Sequence, residues 1–520
     1  MIFARHERRR PRRRLTAATA LAGLAALLLS ACSAAPPTTT GTTITAQAGP
    51  SVIGDVPTAL SSFYAQVVTW TSCNETFLCT DVQVPVDYTK PDGDTIKLAL
   101  IKLPASGKRL GSLLTNPGGP GGSGVDFVLD GAKTVFSTRL RGSYDIVGFD
   151  PRGVQRSAPV KCISDAQTDQ ERQQSLDLGN DVDLKRAQAQ AQRDTAECVK
   201  NTGPVLGYVD TVSSARDMDI LRAVLGDPKL DYMGFSYGTK LGATYAGLFP
   251  RRVGKFSLDG ALDPSLGVDA VAMGQAKGFE QAIRHWAGYC LEQKDCPFSG
   301  TVDDVLAGIH ALQAAYLADP PRARDGRLVP ESEFTNALAY GMYSTSLWEP
   351  LSRALAEAVK GDPSAMLALA DYSADRNADG KYTSNTSAAF LAINCLDYPM
   401  DADVAHMRAE AAALQKASPT FGRLLGYSAL GCTDWPFQAT GKPAKIAAPG
   451  AGPILVVGTT GDPATPYAWA QSLAAQLDSG VLVTWNGDGH TAYGRSNACL
   501  KKAVDDYFVD GTVPARGTTC

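Results

Sequence analysis

Residues 230–248 constrain the fold of this chain more than any other segment. They join an apolar, strand-like run to a helical pattern through the sequence G-F-S-Y-G at residues 234–238. This G-x-S-x-G pattern is typical of a tight strand-to-helix turn that exposes the hydroxyl of its central serine, here Ser236. Glycines flank the serine because strand and helix pack too closely to leave room for side chains. The pattern occurs once in the chain, and an ordinary glycine-rich turn is the alternative interpretation.

Apolar, β-branched runs alternate with helical patterns on both sides of this motif. We predict strands at residues 96–103, 111–115, 144–149, 230–234, 253–258, 453–458 and 481–485. Helical spacing occupies residues 211–225 and 239–248. Ser214 and Asp217 offer a capping box within the first of these helices, and Gly226 offers a stop signal. Alternating strands and helices predict an α/β fold with a mostly parallel sheet and helices on both faces.

Residues 263–445 interrupt this alternation. The segment is rich in Ala, Leu, Glu and Lys and lacks a convincing buried strand. Helical spacing is clearest at residues 305–318, 351–359 and 402–417. We therefore predict a mainly helical cap inserted between a first core part, residues 58–262, and a second, residues 446–520.

The N-terminal segment has the features of an export signal. Six arginines crowd residues 8–14, and an apolar run follows at residues 17–29. A charged start before a short apolar run predicts a signal peptide, residues 1–31, rather than a membrane-spanning helix. The arginine pairs raise the option of twin-arginine export, although the flanking residues match that pattern poorly.

The signal peptide ends in the sequence L-S-A-C at residues 29–32, which resembles the bacterial lipobox. In that motif the cysteine, here Cys32, is diacylated, with palmitate as an expected acyl group, and becomes the mature N-terminus. Two acyl chains suffice for stable anchoring, so we expect an exported protein anchored to the outer face of the cell membrane. Cleavage by ordinary signal peptidase is the alternative. The following Ala-, Pro- and Thr-rich stretch up to residue 57 predicts a flexible tether.

Charge and cysteine content narrow the function further. The net charge of −4 offers no basic surface for nucleic acid, so we expect no nucleic-acid partner.

Removing Cys32 from the eleven cysteines leaves ten, an even number that favours disulfides in an exported chain. Pairing between neighbours is the simplest hypothesis: Cys73 with Cys79, Cys162 with Cys198, Cys290 with Cys296, Cys395 with Cys432, and Cys499 with Cys520. No C-x-x-C spacing or nearby histidine pair indicates zinc, and we expect neither a metal nor a cofactor.

A nucleophilic serine needs a general base, and one histidine fits that role. The histidines are His6, His285, His310, His406 and His490. His6 belongs to the signal peptide, and the next three lie in helical cap patterns where a surface or packing role is expected. His490 follows a strand in a glycine-rich loop, from which an imidazole can reach a serine hydroxyl. We therefore predict His490 as the base, against a surface-loop histidine as the alternative.

The third member must be a carboxylate that lies between Ser236 and His490 in chain order. Asp462 follows the predicted strand at residues 453–458 and is the favoured candidate. Asp259 follows an earlier strand and is the rival, while Asp488 lies too close to His490 in sequence to fold back on its ring.

Oxyanion donors complete such a site. The Tyr237 N–H supplies one, and the glycine-rich loop at residues 116–124 is the expected source of a second.

These motifs together make the chain resemble the α/β-hydrolases of the proline-iminopeptidase-like group, and most of all the secreted actinobacterial tripeptidyl aminopeptidases, also called carboxylesterase A-like. The resemblance covers nearly the whole mature chain. It rests on N-P-G-G-P-G-G at residues 116–122, D-P-R-G at 150–153, G-F-S-Y-G at 234–238, G-D-P-A-T-P at 461–466 and G-D-G-H at 487–490. Gln155 departs from the family, which usually has Gly there. The resemblance implies that Gly119 donates to the oxyanion.

The resemblance implies a serine peptidase that releases short peptides, expected to be tripeptides, from free N-termini. Such an enzyme needs a carboxylate for the substrate ammonium group, and Asp397 is our candidate, with Asp434 as the alternative. A Cys395–Cys432 bridge would fix Asp397 near the core. A carboxylesterase would use the same triad. A non-enzymatic solute-binding lipoprotein fits the anchor but leaves the ordered Ser, Asp and His unexplained.

Overall fold

The structure is a computed structural model that describes residues 43–520. The predicted signal peptide and Cys32 lie outside the described residues. Within residues 43–520, no helix combines the length and the apolarity needed to cross a bilayer. The described chain contains one large sheet, helices that flank it, and a helical segment inserted between two of its strands.

Eleven strands form the sheet in the order β1-β2-β3-β4-β6-β5-β7-β8-β9-β10-β11. The strands β1 to β11 span Thr43–Gln47, Val67–Asn74, Phe77–Pro85, Thr95–Leu103, Gly111–Asn116, Tyr144–Phe149, Leu230–Phe235, Val253–Asp259, Ile454–Gly461, Gly480–Asp488 and Thr518–Thr519. Neighbouring strands from β1 to β4, and β4 with β6, pair antiparallel. The remaining neighbours, from β6 to β11, pair in parallel. The predicted mostly parallel sheet is confirmed.

Eighteen α-helices belong to the described chain, and they are numbered in chain order. Helices α1 to α8 span Pro50–Ile53, Ser61–Tyr64, Gly124–Val135, Thr138–Ser143, Asp165–Arg172, Asp181–Thr202, Thr211–Val224 and Tyr237–Leu248. Helices α9 to α16 span Val268–Leu291, Val302–Ala318, Glu331–Met342, Trp348–Ala358, Ser364–Ser373, Thr386–Asp397, Val404–Ala417 and Gly422–Leu425. Helices α17 and α18 span Tyr467–Gln476 and Ala498–Asp510.

The central parallel strands β5 and β6 are buried on both faces, and this explains their apolar sequences. All six residues of β5 and of β6 are buried, as expected for strands covered by helices on each side. Their carboxyl ends lie at the same edge of the sheet. Because ligand sites of open α/β sheets lie at this edge, the loops after β5, β7, β9 and β10 meet where a site is expected.

Helices α9 to α16 form the cap between β8 and β9. Much of the cap packs around its own apolar cluster, which includes the fully buried side chains of Trp286, Phe334 and Leu351. Cap and core meet at two places, because Ala464 of the core joins the cap cluster and Ile393 of the cap joins the main core cluster. The cap is therefore a packed unit seated directly on the sheet edge.

Two local expectations need correction. The predicted tether is shorter than expected, because Thr43–Gln47 is a strand that pairs with β2. Helix α7 begins at Thr211, and Asp210 caps it by accepting from Ser213 N. Ser214 and Asp217 lie inside that helix and are buried, so they form no capping box. Asp217 pairs instead with the buried Arg152.

Five disulfides link the ten remaining cysteines: Cys73–Cys79, Cys162–Cys198, Cys290–Cys296, Cys395–Cys432 and Cys499–Cys520. Each bond joins two cysteines that are consecutive in the order of cysteines along the chain, as the simplest hypothesis predicted. The last one ties the C-terminal residue to α18.

Candidate active site

Ser236 lies at the junction between β7 and α8, at the carboxyl edge of the sheet. Its backbone has φ 56° and ψ −125°, a positive φ that residues other than glycine rarely adopt and that functional turns often contain. A Cβ on Gly234 would lie 2.4 Å from the Gly238 carbonyl oxygen, and one on Gly238 would lie 2.7 Å from that of Asn116. The two glycines therefore permit the tight turn that exposes the serine.

The glycine-rich loop after β5 lies directly against this turn. A Cβ on Gly118 would lie 2.9 Å from Ser236 Cβ and 3.0 Å from Tyr237 N. Only glycine fits at this position, and its φ of 95° lies in the region that favours glycine. Gly119 follows and lines the same cleft as Ser236. The structure thus places both predicted oxyanion residues, Gly119 and Tyr237, beside the serine.

His490 and Asp462 form a hydrogen-bonded pair in the loops after β10 and β9. His490 Nδ1 lies 2.9 Å from Asp462 Oδ1 and 3.0 Å from Oδ2. The Asp462 side chain is fully buried, and the His490 side chain is 10% exposed and lines the cleft together with Ser236. Since the carboxylate occupies Nδ1, Nε2 is the ring nitrogen that remains for the serine hydroxyl.

The Asp462 carboxylate is held by donors from both loops. Oδ1 accepts from Ala464 N at 3.0 Å and from Thr465 N at 2.8 Å, while Oδ2 accepts from Thr465 Oγ1 at 3.0 Å and Thr491 N at 3.1 Å. Burial opposes ionisation, but the charge and hydrogen bond of His490 and the donors of Thr465 and Thr491 outweigh it. The pKa of Asp462 therefore lies below its ordinary value. An ionised carboxylate at this place fixes the imidazole tautomer.

The two rival carboxylates serve other partners. Asp259 is fully buried and accepts from Ala492 N at 2.9 Å and Tyr493 N at 2.7 Å. Burial raises the pKa of Asp259 to about 6. Asp488 pairs with His285 of the cap, with 2.6 Å between Oδ1 and Nδ1. Asp259 thus anchors the backbone just beyond the histidine loop, and Asp488 faces the cap.

Of the four histidines in residues 43–520, only His490 lines this cleft. His310 Nε2 lies 3.0 Å from Thr420 Oγ1 in the cap. His406 Nε2 lies 3.2 Å from Asp269 Oδ2. Contacts with neighbouring side chains therefore account for the other three, since His285 contacts Asp488.

The cleft lies between α3 of the core and helices α11 and α13 of the cap, with a volume of about 600 Å³. Ser236 and His490 lie among its lining residues. Its walls are mainly apolar and aromatic: Phe127, Val135, Phe235, Tyr340, Tyr343, Leu347, Leu369 and Tyr372. Among the described residues that line it, none is an Asp or a Glu.

The expectation that Asp397 binds a substrate ammonium group is not supported by its surroundings. Asp397 is buried, and its carboxylate accepts from Thr211 N at 2.9 Å and from Lys240 Nζ at 2.9 Å. It does not line the cleft. An internal lysine already neutralises it, so it holds the cap against α8. The alternative, Asp434, is exposed and accepts from Gln192 Nε2 at 2.8 Å.

Three residues of the site were not predicted from the sequence. Thr465, which donates to Asp462, lies inside the G-D-P-A-T-P motif but was not singled out. The Tyr343 ring meets the His490 ring edge-on, with 5.3 Å between centroids. Arg495 lines the cleft and donates to the carbonyls of Tyr343 and Thr491, each at 2.7 Å. No local pattern marks Tyr343 or Arg495, because both act across the seam between cap and core.

One group of side chains in the described chain has metal-ligand character. Potential ligand atoms of Asp269, His406 and Glu410 lie within 4.8 Å of one another. The group is on cap helices α9 and α15, and none of its members lines the cleft. His406 Nε2 lies within hydrogen-bonding distance of the Asp269 carboxylate, which accounts for their proximity, and nothing connects the group to Ser236.

The sequence of this chain is similar to the sequences of several known proteins. Residues 418–520 match the family described as TAP-like protein. Serine protease Hip1 of Mycobacterium tuberculosis is 37% identical over 476 residues, which cover 88% of this chain and 91% of the relative. Carboxylesterase B of the same species is 36% identical over 466 residues, covering 87% and 89%. Tripeptidyl aminopeptidase of Streptomyces lividans is 31% identical over 453 residues, covering 85% and 83%.

Proposed function

This chain belongs to the TAP-like family of serine α/β-hydrolases, and we propose that it releases short peptides, chiefly tripeptides, from free N-termini through an acyl-enzyme on Ser236. One observation carries the proposal. His490, which is hydrogen-bonded to the buried Asp462, lines the same cleft as Ser236, and each of the three residues follows a parallel strand. The names of relatives that cover most of the chain, serine protease and tripeptidyl aminopeptidase, support peptide substrates.

The proposed reaction begins when His490 takes the proton of the Ser236 hydroxyl as Oγ attacks the scissile carbonyl carbon. The C–N bond of the tetrahedral intermediate then breaks, and the leaving amine takes that proton from His490. An ester on Ser236 remains. Water, deprotonated by His490, attacks the ester, and Ser236 recovers its proton as the acid product leaves. Asp462 stabilises the imidazolium in both halves without accepting its proton.

Backbone N–H groups of Tyr237 and Gly119 are the proposed donors to the oxyanion. Tyr237 is the first residue of α8, so its N–H has no acceptor within the helix and points from its positive end. Gly119 lines the cleft from the glycine-rich loop that follows β5. Loss of one such donor costs about 3 kcal/mol of activation free energy.

A carboxylesterase acting on acyl esters is the second candidate. The apolar walls of the cleft and the absence of a lining carboxylate among the described residues favour it. So does the name of one relative, carboxylesterase B. The reaction would use the same serine, base and acid, because ester and amide hydrolysis share the tetrahedral intermediate.

A substrate panel separates the two candidates. The panel contains a tripeptide amide with a free N-terminus, the same peptide N-acetylated, and an acyl ester of similar size, each assayed for kcat/KM. The peptidase proposal predicts preference for the free tripeptide, and equal turnover of the acetylated peptide would contradict it. Ser236→Ala should abolish both turnover and labelling by a fluorophosphonate. Unchanged labelling of that variant would refute the nucleophile assignment.

Export and anchoring complete the proposal. The arginine-rich start, the apolar run and Cys32 support secretion followed by lipidation, and five disulfides fit an oxidising compartment. Mass spectrometry of the native membrane fraction should find a mature N-terminus at Cys32 carrying diacylglycerol. The variant Cys32→Ala should leave the membrane fraction, and its retention there would contradict a lipid anchor.

A further inference from the structure

Cap helix α9 lies directly on the loop that carries Asp462. A Cβ added to Gly278 would lie 2.5 Å from the Pro463 carbonyl oxygen and 3.1 Å from its carbon. Gln275, one turn earlier, donates from Nε2 to the Ala464 carbonyl at 3.0 Å. The helix therefore touches the two residues that follow Asp462, and the missing side chain of Gly278 sets how closely it approaches.

A second cap segment lies on the loop that carries His490. His490 N donates to the carbonyl of Tyr343, the residue after α11, at 2.9 Å. The Tyr343 ring packs edge-on against the imidazole, with an interplanar angle of 89°. A Cβ on Gly489 would lie 2.9 Å from the same Tyr343 oxygen. The base thus touches the cap through both its backbone and its ring.

Arg495 fastens this second contact. Its guanidinium donates to the Tyr343 carbonyl from one nitrogen and to the His490 and Thr491 carbonyls from another. Three backbone carbonyls, one from the cap and two from the histidine loop, therefore share one planar group. Since a guanidinium presents donors in a rigid fork, it fixes the spacing of these two segments.

The geometry points to a role of the cap in keeping Asp462 and His490 at hydrogen-bonding distance. Gly278 positions the loop of Asp462, and Arg495 positions His490 by linking its loop to Tyr343 of the cap. The inference rests on the proposed acyl-enzyme function. The bond between His490 Nδ1 and Asp462 joins two separate loops, and the cap contacts each loop from outside. A displacement of about 1 Å in such a site lowers the rate by about 100-fold, so both contacts act on turnover.

The first test places a methyl group between α9 and the acid loop. In Gly278→Ala the new Cβ meets backbone, which has no flexible end to yield. The matched control is Gly288→Ala on the same helix, where nothing lies within 4 Å of the new Cβ. We expect Gly278→Ala to lower kcat by about 10- to 100-fold with KM within about twofold. Gly288→Ala should match the wild type.

The second test removes the fork. Arg495→Gln should lower kcat more than it changes KM, and Arg495→Lys should recover part of the loss, because an ammonium group still donates to carbonyls. Melting temperatures establish that each variant is folded at the assay temperature. If Gly278→Ala is too unstable to assay, the comparison of Arg495→Lys with Arg495→Gln carries the same test.

The outcomes separate this inference from the proposed function. Absence of Ser236-dependent turnover in the wild type and in Gly288→Ala would refute the proposed function itself. An active Gly288→Ala together with a folded Gly278→Ala of equal kcat would overturn the positioning role of the cap. A change confined to KM in the Arg495 variants would make Arg495 a substrate-binding residue and would likewise overturn it.

Discussion

Two buried carboxylates differ in what they can do: Asp462 lies at the carboxyl edge of the sheet, and Asp397 lies between cap and core. Asp462 and Asp397 are both nearly inaccessible, and each is paired with a cationic or basic partner. The partner of Asp462 is an imidazole that lines the cleft, whereas the partner of Asp397 is the Lys240 ammonium, away from the cleft. An imidazole exchanges protons near neutral pH, while a lysine beside a carboxylate keeps its charge. Burial and pairing alone therefore do not identify a reacting carboxylate.

The largest expected effect tests the sheet-edge carboxylate. Asp462→Asn should lower kcat by about 10⁴-fold, because an amide no longer favours the reactive imidazole tautomer. The melting temperature should fall modestly, because the amide nitrogen would face Thr491 N, which donates to the carboxylate of Asp462. Asp259→Asn is the control, and it should change kcat far less because Asp259 contacts backbone beyond the histidine. Equal losses in both variants would remove the distinction between acid and anchor.

The seam carboxylate should behave in the opposite way. Asp397→Asn leaves the Lys240 ammonium buried without its counterion, which costs about 3 kcal/mol of folding stability. Turnover by the folded fraction should stay within about tenfold, and KM for a free tripeptide should hardly change. Urea denaturation and steady-state kinetics measure the two quantities. A large rise of KM for the free peptide alone, without loss of stability, would restore Asp397 as the ammonium-binding residue.

The smallest expected effect concerns the apolar wall that the cap contributes. Leu369 of α13 lines the cleft, so Leu369→Asp should shift preference from apolar toward cationic groups on the acyl side of the scissile bond. The kcat/KM ratio of paired substrates that differ only there, leucine against lysine, should change by about tenfold or more. Leu110→Asp, at an exposed position away from the cleft, should leave the ratio unchanged. An unchanged ratio in Leu369→Asp would exclude this wall from substrate recognition.

The same contrast explains what the sequence could predict. Ser236, His490 and Asp462 each follow a parallel strand, and each of these strands contains a mainly apolar run because helices cover such a sheet. Once the strands are recognised, topology brings their carboxyl ends together without further information. Strand β2, by contrast, buries only two of its eight residues and was not predicted. Its polar, partly exposed sequence lacks a continuous apolar run.

Contacts across the seam could not be predicted from local patterns. Asp397 and Lys240 are 157 residues apart, and Arg495 and Tyr343 are 152 apart. No motif signals that such residues meet, because the packing of the cap on the sheet edge decides it. Asp397 was therefore assigned to a substrate although it pairs with a lysine, and the fastening of His490 by Arg495 was missed.

The most direct test of the account is to trap the acyl-enzyme and locate it. Wild-type protein and Ser236→Ala are mixed with a slowly deacylating activated ester, quenched in acid, digested with trypsin and analysed by mass spectrometry. Cleavage after Lys229 and Lys240 yields the peptide 230–240, in which Ser236 is the only serine. We predict that the acyl mass appears on this peptide in the wild type and is absent from Ser236→Ala. Turnover with the acyl group on another peptide, or an acylated Ser236→Ala, would contradict the assignment of Ser236 as the nucleophile.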